Sequence, residues 1–476
     1  MRLKSFLSRF RCVGISFSML AACSDDSGYK LMSFLPETES NADFNGKEFK
    51  IVGLYREGIA EVAPVSFENA YSDMLIEHYK TVGSKYNIKI VAEGSDTIVN
   101  DITLKSAVGD KFADVIDDSL SSILDLYNSD ILLDVSSVLD YSELYSGKYG
   151  TSTQLSAATL KRITGDEVFG FVSAYWGVPT PKFANAGYFN PDFVSMYNLA
   201  NPYELLENDN WTWAQFEKMC IAVQSEGNDP ADEADDIYGI AEDPDQNYLA
   251  KTAFNSNDAN LVAYDESTGL YSFSLEDPKV EETLQWLQGL YKNGALRIVS
   301  GTTGNSTIGN LVNNFIEERA MFMVEHTYHG TTDRESLAYR ANFDFSWIPF
   351  PKGPSAELYN YNASISGADR YYGLPAIGTD DETLSIIIPE LFSSFEGLDN
   401  FAWRDYFSIG MFFSDESQEW FFKMYENVSN NYDWLTGFFN SSYSAKIIDE
   451  SKSIAEILQS YKNLGQKEID EKLNVQ

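Results

Sequence analysis

Cysteine is nearly missing from this sequence: Cys12, Cys23 and Cys220 are the only three in 476 residues. So few exclude a disulfide scaffold or a thiolate metal cluster. Histidine is equally scarce, with His78, His326 and His329 the full set and no HExxH helix among them, so no metal centre is expected. The acidic run Asp229, Asp232, Glu233, Asp235 and Asp236 lacks the spacing and the glycine of an EF-hand and reads as a solvated loop. No GxSxG elbow, P-loop or GxGxxG turn occurs, so no cofactor is expected either. Basic residues are in deficit, 34 Lys+Arg against 72 Asp+Glu, a formal net charge of −38. Such a surface repels phosphate backbones, which excludes nucleic acid as a partner. Past residue 23 no unbroken apolar run is long enough to cross a bilayer.

What is present begins at the N-terminus. Arg2, Lys4, Arg9 and Arg11 precede a short apolar stretch from Val13 to Ala22, and no acidic residue occurs before Asp25. The stretch ends in Leu20-Ala21-Ala22-Cys23, and residues 1–22 resemble a bacterial lipoprotein signal peptide. That resemblance implies cleavage before Cys23, acylation of its thiol, and a location at the outer face of the bacterial cytoplasmic membrane, held by lipid. Residues 23–46 are then the acylated cysteine and a polar, acidic tether. Cys220 lies in an amphipathic helical pattern and is expected to be a small buried apolar side chain.

Hydrophobic residues make up 44% of the chain and aromatics 14%, enough to fill sizeable cores, and the length predicts two lobes. The first strand is expected at Lys47 to Tyr55 and a helix over Leu75, Ile76, Tyr79, Val82 and Tyr86. A strand at Ile88 to Ala92, a helix at Val99 to Ala107 and a strand at Ala113 to Asp117 follow. Strand alternating with helix predicts a parallel sheet covered on both faces. Further strands are expected at Tyr238 to Ala241, Ala320 to Glu325, Phe343 to Ile348 and Tyr371 to Ala376. Helices are expected near 385–400 and 415–430, with a terminal one from Ile454.

Several stretches in order carry a resemblance: Gly177-Val178-Pro179 followed by Gly187-Tyr188-Phe189-Asn190; Trp211-Thr212-Trp213-Ala214-Gln215-Phe216; Tyr238-Gly239-Ile240; Phe315 to Phe322; and Trp347-Ile348-Pro349-Phe350-Pro351-Lys352-Gly353. With them the chain resembles the extracellular solute-binding proteins of bacterial ABC importers, the family that includes the maltose-binding protein. The resemblance implies an α/β, bilobal, type II periplasmic-binding-protein-like fold with a hinge crossed about three times. Residues 47–175 and 376–412 would form one lobe, 176–375 and 413–476 the other. It implies a monomer that captures a carbohydrate, a di- or oligosaccharide, between its lobes and hands it to ABC permease subunits without altering it. Two other readings stay open at this level. A lipid-anchored glycan hydrolase would need two carboxylates at a set separation, and a receptor could report ligand to a membrane sensor kinase.

Sugars offer apolar ring faces edged with hydroxyls, so their sites combine flat aromatics with paired hydrogen-bonding groups, gathered in α/β folds beyond the carboxyl ends of strands. The candidates placed there are Tyr55, Arg56 and Glu57 after the first strand and Asp118 and Ser119 after the third. Tyr175 and Trp176 stand at the first crossing, Glu325 and His326 at a later strand end, and Tyr371 and Tyr372 at the second crossing. Trp434 could approach from the C-terminal part. The resemblance also implies that Tyr328, the aromatic after the strand Ala320 to Val324, contacts ligand. Thr212 is expected to cap the following helix, with Trp213 and Phe216 packing it on its sheet.

Overall fold

The computed structural model describes residues 42–54, 62, 70–139, 168–171, 186–225, 236–242, 247–298, 307–330, 337–364, 370–378, 380–393, 411–426, 433–440, 446 and 452–474. Cys23 and most of the expected tether lie outside the described residues.

The first sheet grows from β1 (Lys47–Leu54), where Phe49, Ile51 and Val52 are buried. β2 (Ile88–Ser95) and β3 (Val115–Ser119) flank it, both parallel to it, as alternating strand and helix predict. The helix Ala70–Tyr86 between β1 and β2 buries Leu75, Val82 and Tyr86, the i, i+7, i+11 stripe of one helix face. The helices Ile98–Ala107 and Leu120–Asn128 follow β2 and β3.

The second sheet has the order β10-β4-β9-β5-β8. Its strands are β4 (Ala186–Phe189), β5 (Tyr238–Glu242), β8 (Leu296–Ile298), β9 (Ala320–Glu325) and β10 (Ser346–Ile348). β5 runs parallel to β8 and β9, whereas β4 is antiparallel to both β9 and β10. Every residue of β9 is buried, the pattern of a central strand covered on both faces. A hairpin of β6 (Val262–Asp265) and β7 (Leu270–Phe273) stands apart from this sheet, and the helix Ile454–Lys472 packs against β7.

The helix Trp213–Val223 lies on β5. Thr212 Oγ1 accepts from Gln215 N–H at 3.4 Å, and Trp213, Phe216, Met219, Cys220 and Val223 turn inward. The expected cap and the expected burial of Cys220 are both found, and burial pushes that thiol well above its usual range. The fit leaves no room for a methyl: a Cβ on Gly239 of β5 would lie 2.1 Å from Cys220 Cβ and 2.4 Å from its Cα. Gly239→Ala must push helix from sheet and is expected to cost about 1–3 kcal/mol. Urea denaturation checks this, and a loss under about 0.5 kcal/mol would mean that the contact is looser than drawn.

One expected boundary moves. β11 (Arg370–Gly373) pairs antiparallel with β3, so the order of the first sheet is β11-β3-β1-β2. The chain is therefore back in the first sheet at Arg370, before the expected boundary at residue 375. The helix Asp381–Leu391 stays there, with Lys47 on Asp380 and His78 Nε2 donating to the carbonyls of Glu390 (3.0 Å) and Leu391 (3.1 Å). Met411 is already at the second sheet, since its carbonyl accepts from Trp347 Nε1 at 3.2 Å.

Candidate functional site

In an open α/β sheet the carboxyl ends of the strands leave backbone groups and side chains without a covering layer, so ligands gather there. At that end of the first sheet stands a buried charge pair. The β11–β3 register puts Arg370 opposite Ser119, on the same face as Asp117 two residues earlier. The guanidinium donates from Nε to Asp117 Oδ1 at 3.1 Å and from Nη2 to Oδ2 at 2.6 Å, a two-pronged contact with a fully buried carboxylate. Nη2 also reaches the Asp117 carbonyl at 3.1 Å and Nη1 the Leu54 carbonyl at 3.3 Å. One side chain thereby joins the carboxyl ends of β1 and β3.

Asp118 and Ser119 are drawn into the same corner. Asp118 is buried and its Oδ1 accepts from Ser119 N–H at 2.6 Å. Burial raises its carboxyl above the ordinary range, opposed by hydrogen bonds from Ser119 and Ser122 and by the Arg370 charge. Ser119 caps the helix Leu120–Asn128, accepting from Ser122 N–H at 3.2 Å. Across β1, Tyr79 Oη donates to the Val62 carbonyl at 2.9 Å. Val62 in turn lies so close to Gly53 that a Cβ there would meet Val62 Cγ2 at 2.3 Å.

At the matching end of the second sheet, β9 closes on Glu325, whose buried carboxylate accepts from His326 N–H at 2.9 Å. A single 3₁₀ turn, Thr327–Gly330, follows. Tyr188 Oη donates to the His326 carbonyl at 2.8 Å, which fixes the turn to β4. His329 Nε2 stands 3.9 Å from Glu325 Oε1. Burial, with the His326 and Arg340 charges nearby, pushes the His329 imidazole down to about 3, so the ring is neutral and the approach is not an ion pair. On the next strand Glu242 accepts from Leu249 N–H at 3.0 Å. The β5–β9 register sets Glu242 one step short of Glu325, and successive side chains alternate, so these two carboxylates leave opposite faces of the sheet. They do not form the facing pair that glycoside hydrolysis needs.

The expected site residues divide into three groups. Asp118, Ser119, Glu325 and His326 stand at strand ends; the side chains of the first three accept from backbone N–H groups, and His326 supplies the N–H that Glu325 accepts. Tyr372 is a correction: it is wholly buried in β11 with its ring 5.5 Å from Phe171 and 4.8 Å from Phe392, so core packing occupies it, whereas Tyr371, on the opposite face of the strand, is wholly buried opposite Asp118 of β3. Tyr55, Arg56, Glu57, Tyr175 and Trp176 lie outside the described residues. The backbones of Tyr328 and Trp434 lie in 3₁₀ turns, Thr327–Gly330 and Asp433–Leu435, with side chains outside the described set. Sequence reasoning missed the Arg370–Asp117 pair. Two adjacent aspartates ending a buried strand imply a cation, but nothing local names one 253 residues away. Among the described residues no group of histidine, cysteine and carboxylate side chains could hold a metal, and no helix is long and apolar enough to cross a membrane.

No protein-family profile and no curated protein matches the sequence. Solved structures do. A cyclic α-maltosyl-1,6-maltose binding protein from Arthrobacter globiformis aligns with a TM-score of 0.58 at 12% identity, over 89% of this chain and 99% of that one. The sugar-binding protein MalE of the phytopathogen Xanthomonas citri gives 0.57 at 10% identity, over 89% and 97%. The galacto-N-biose-/lacto-N-biose I-binding protein of an ABC transporter from Bifidobacterium longum gives 0.54 at 11% identity, over 91% and 99%. Likeness spanning nearly the whole of both chains covers both sheets and the helices around them. The chain has the α/β, bilobal, type II periplasmic-binding-protein fold of these sugar-binding proteins.

Proposed function

We propose that this chain is the solute-binding protein of a bacterial ABC importer, and that it captures a di- or oligosaccharide between its lobes for delivery to permease subunits. The observation that carries the reading is the shared fold over 89–91% of the chain with proteins whose own names specify sugars, one of them also an ABC transporter. Two further features support it. Backbone-anchored carboxylates stand at the carboxyl ends of both sheets, as groups that accept from sugar hydroxyls must. Their oxygens are oriented before ligand arrives, which limits the ordering cost of binding. The run Leu20-Ala21-Ala22-Cys23 supports tethering of a monomer at the outer face of the cytoplasmic membrane, within reach of a permease.

A thermal-shift screen of residues 24–476 with glucose, maltose, maltotriose, lactose and raffinose tests this. A sugar at about 100 times its dissociation constant is expected to stabilise the protein by about 2.7 kcal/mol and to be recovered intact. A flat response to all five, or a sugar recovered cleaved, would sink the reading.

A further inference from the structure

We infer that Arg370 is a positioning residue for the ligand site: by joining Asp117 and the Leu54 carbonyl it holds the carboxyl ends of β1 and β3 in the one arrangement that binds ligand. This rests on the saccharide-binding reading above. Four hydrogen bonds from one guanidinium, two to the Asp117 carboxylate and one each to the carbonyls of Asp117 and Leu54, leave the two strand ends no independent movement. The pair is sheltered, with the Asp117 side chain 0% and Arg370 14% exposed, so solvent does little to loosen it. Arg370 is also the first residue of β11, the strand by which the chain re-enters the first sheet from the second. A change in the way the lobes sit therefore reaches the Leu54 carbonyl through this side chain, and Asp117 through it and through the pairing of β11 with β3.

Val62, in the connection between β1 and the helix that begins at Ala70, is held as well. Val62 is wholly buried against Gly53, and its carbonyl is held by Tyr79. With Val62 anchored to α-helix and strand, the Leu54 carbonyl is the point at which Arg370 decides where this connection departs. Asp118, next to Asp117 and turned to the opposite face, also feels the Arg370 charge. Losing the guanidinium would thus shift the strand end and the neighbouring carboxylate together.

Arg370→Ala alone would strand the buried Asp117 charge, so the test removes both members of the pair. The variant Asp117→Leu/Arg370→Met keeps the volume apolar, and paired replacement of this kind is often neutral for stability. Wild type and variant are titrated calorimetrically with the five sugars of the screen, beside urea denaturation. The expected result is a urea midpoint near that of wild type with affinity weakened about 10- to 100-fold, the scale on which outer partners support preformed sites. Arg370→Lys, which keeps the charge but not the fork, carries the same titration if the paired variant does not fold, and is expected to weaken binding likewise. Equal affinities in wild type and a folded variant overturn the inference and leave the proposed function standing. Wild type that binds none of the five removes the functional reading and the inference with it.

Discussion

Trp347→Ala is expected to destabilise the second lobe by about 3–5 kcal/mol, a large share of the about 5–15 kcal/mol that holds a typical domain together. Trp347 is fully buried in β10, an edge strand, and there it joins three distant pieces of chain. Its backbone N–H donates to Ser417 Oγ at 2.9 Å and its indole to the Met411 carbonyl at 3.2 Å, while Tyr203 Oη donates to its carbonyl at 2.7 Å. The ring centroid lies 4.5 Å from Tyr188 and 4.6 Å from Phe421. Truncation opens a cavity among rigid aromatics that cannot collapse into it, and leaves the Met411 carbonyl without its donor. Trp347→Phe keeps most of the packing and is expected to lose only the bond, about 1–2 kcal/mol. Urea denaturation separates the two variants, and a loss below about 1 kcal/mol for the alanine variant would show that the 411–426 segment is held elsewhere.

Stability is expected to fall as pH rises from about 4 to about 7, through a single buried acid. Asp433 is buried, and Oδ1 accepts from the backbone N–H groups of Leu261 at 2.7 Å and Val262 at 3.1 Å, fastening the C-terminal segment to the start of β6. Burial raises its carboxyl from 3.8 to about 7, with those two hydrogen bonds opposing the rise. Between the two values the folded chain holds a proton that the unfolded chain has released. The stabilisation is therefore complete below the unfolded value and lost as pH climbs to the folded one, by up to about 4 kcal/mol. Asp433→Asn keeps an oxygen for both N–H groups and cannot ionise, so its stability is expected to be flatter with pH over this window. Asp433→Ala leaves both donors unmet at about 1–3 kcal/mol each. Denaturation curves at pH 4, 5.5 and 7 decide the matter, and parallel pH dependence in wild type and the asparagine variant would show that Asp433 is ionised throughout.

Much of the element order was legible in the sequence, because it is written in short-range periodicity. The strand expected at Ala320 to Glu325 is found with those bounds, and the terminal helix starts at Ile454, behind a capping box of Ser453 and Glu456. Phe343 to Ile348 shortened to Ser346–Ile348 because Phe343 and Phe345 serve as core rings before the strand begins, against Phe315 and Phe413. The β6–β7 hairpin was missed, although its turn, Asp265-Glu266-Ser267-Thr268-Gly269, has fitting chemistry: Asp265 accepts from Ser267 N–H, and Gly269 takes φ +70.

The candidate site was legible only as a set of strand ends. Glu325 closes β9 as the sequence placed it, whereas Asp118 and Ser119, expected after the third strand, are its last two residues. Tyr371 and Tyr372 have the same local signature, an aromatic at a strand, yet Tyr372 packs inward on Phe171 and Phe392, and Tyr371, on the opposite face, is wholly buried as well. Which face of a strand meets core and which meets cleft depends on the neighbouring strand, and β3 lies some 250 residues away.

By itself, then, the sequence determined which segments become strands and helices, and that the first three strands run parallel, since hydrophobic period and connecting helices are local. Only the tertiary structure decided that Arg370 meets Asp117, that Asp433 is buried beneath β6, and that Trp347 joins three segments. Each of these depends on contacts between residues far apart in the chain, where neither the desolvation of a charge nor the partner that offsets it leaves a trace in local pattern.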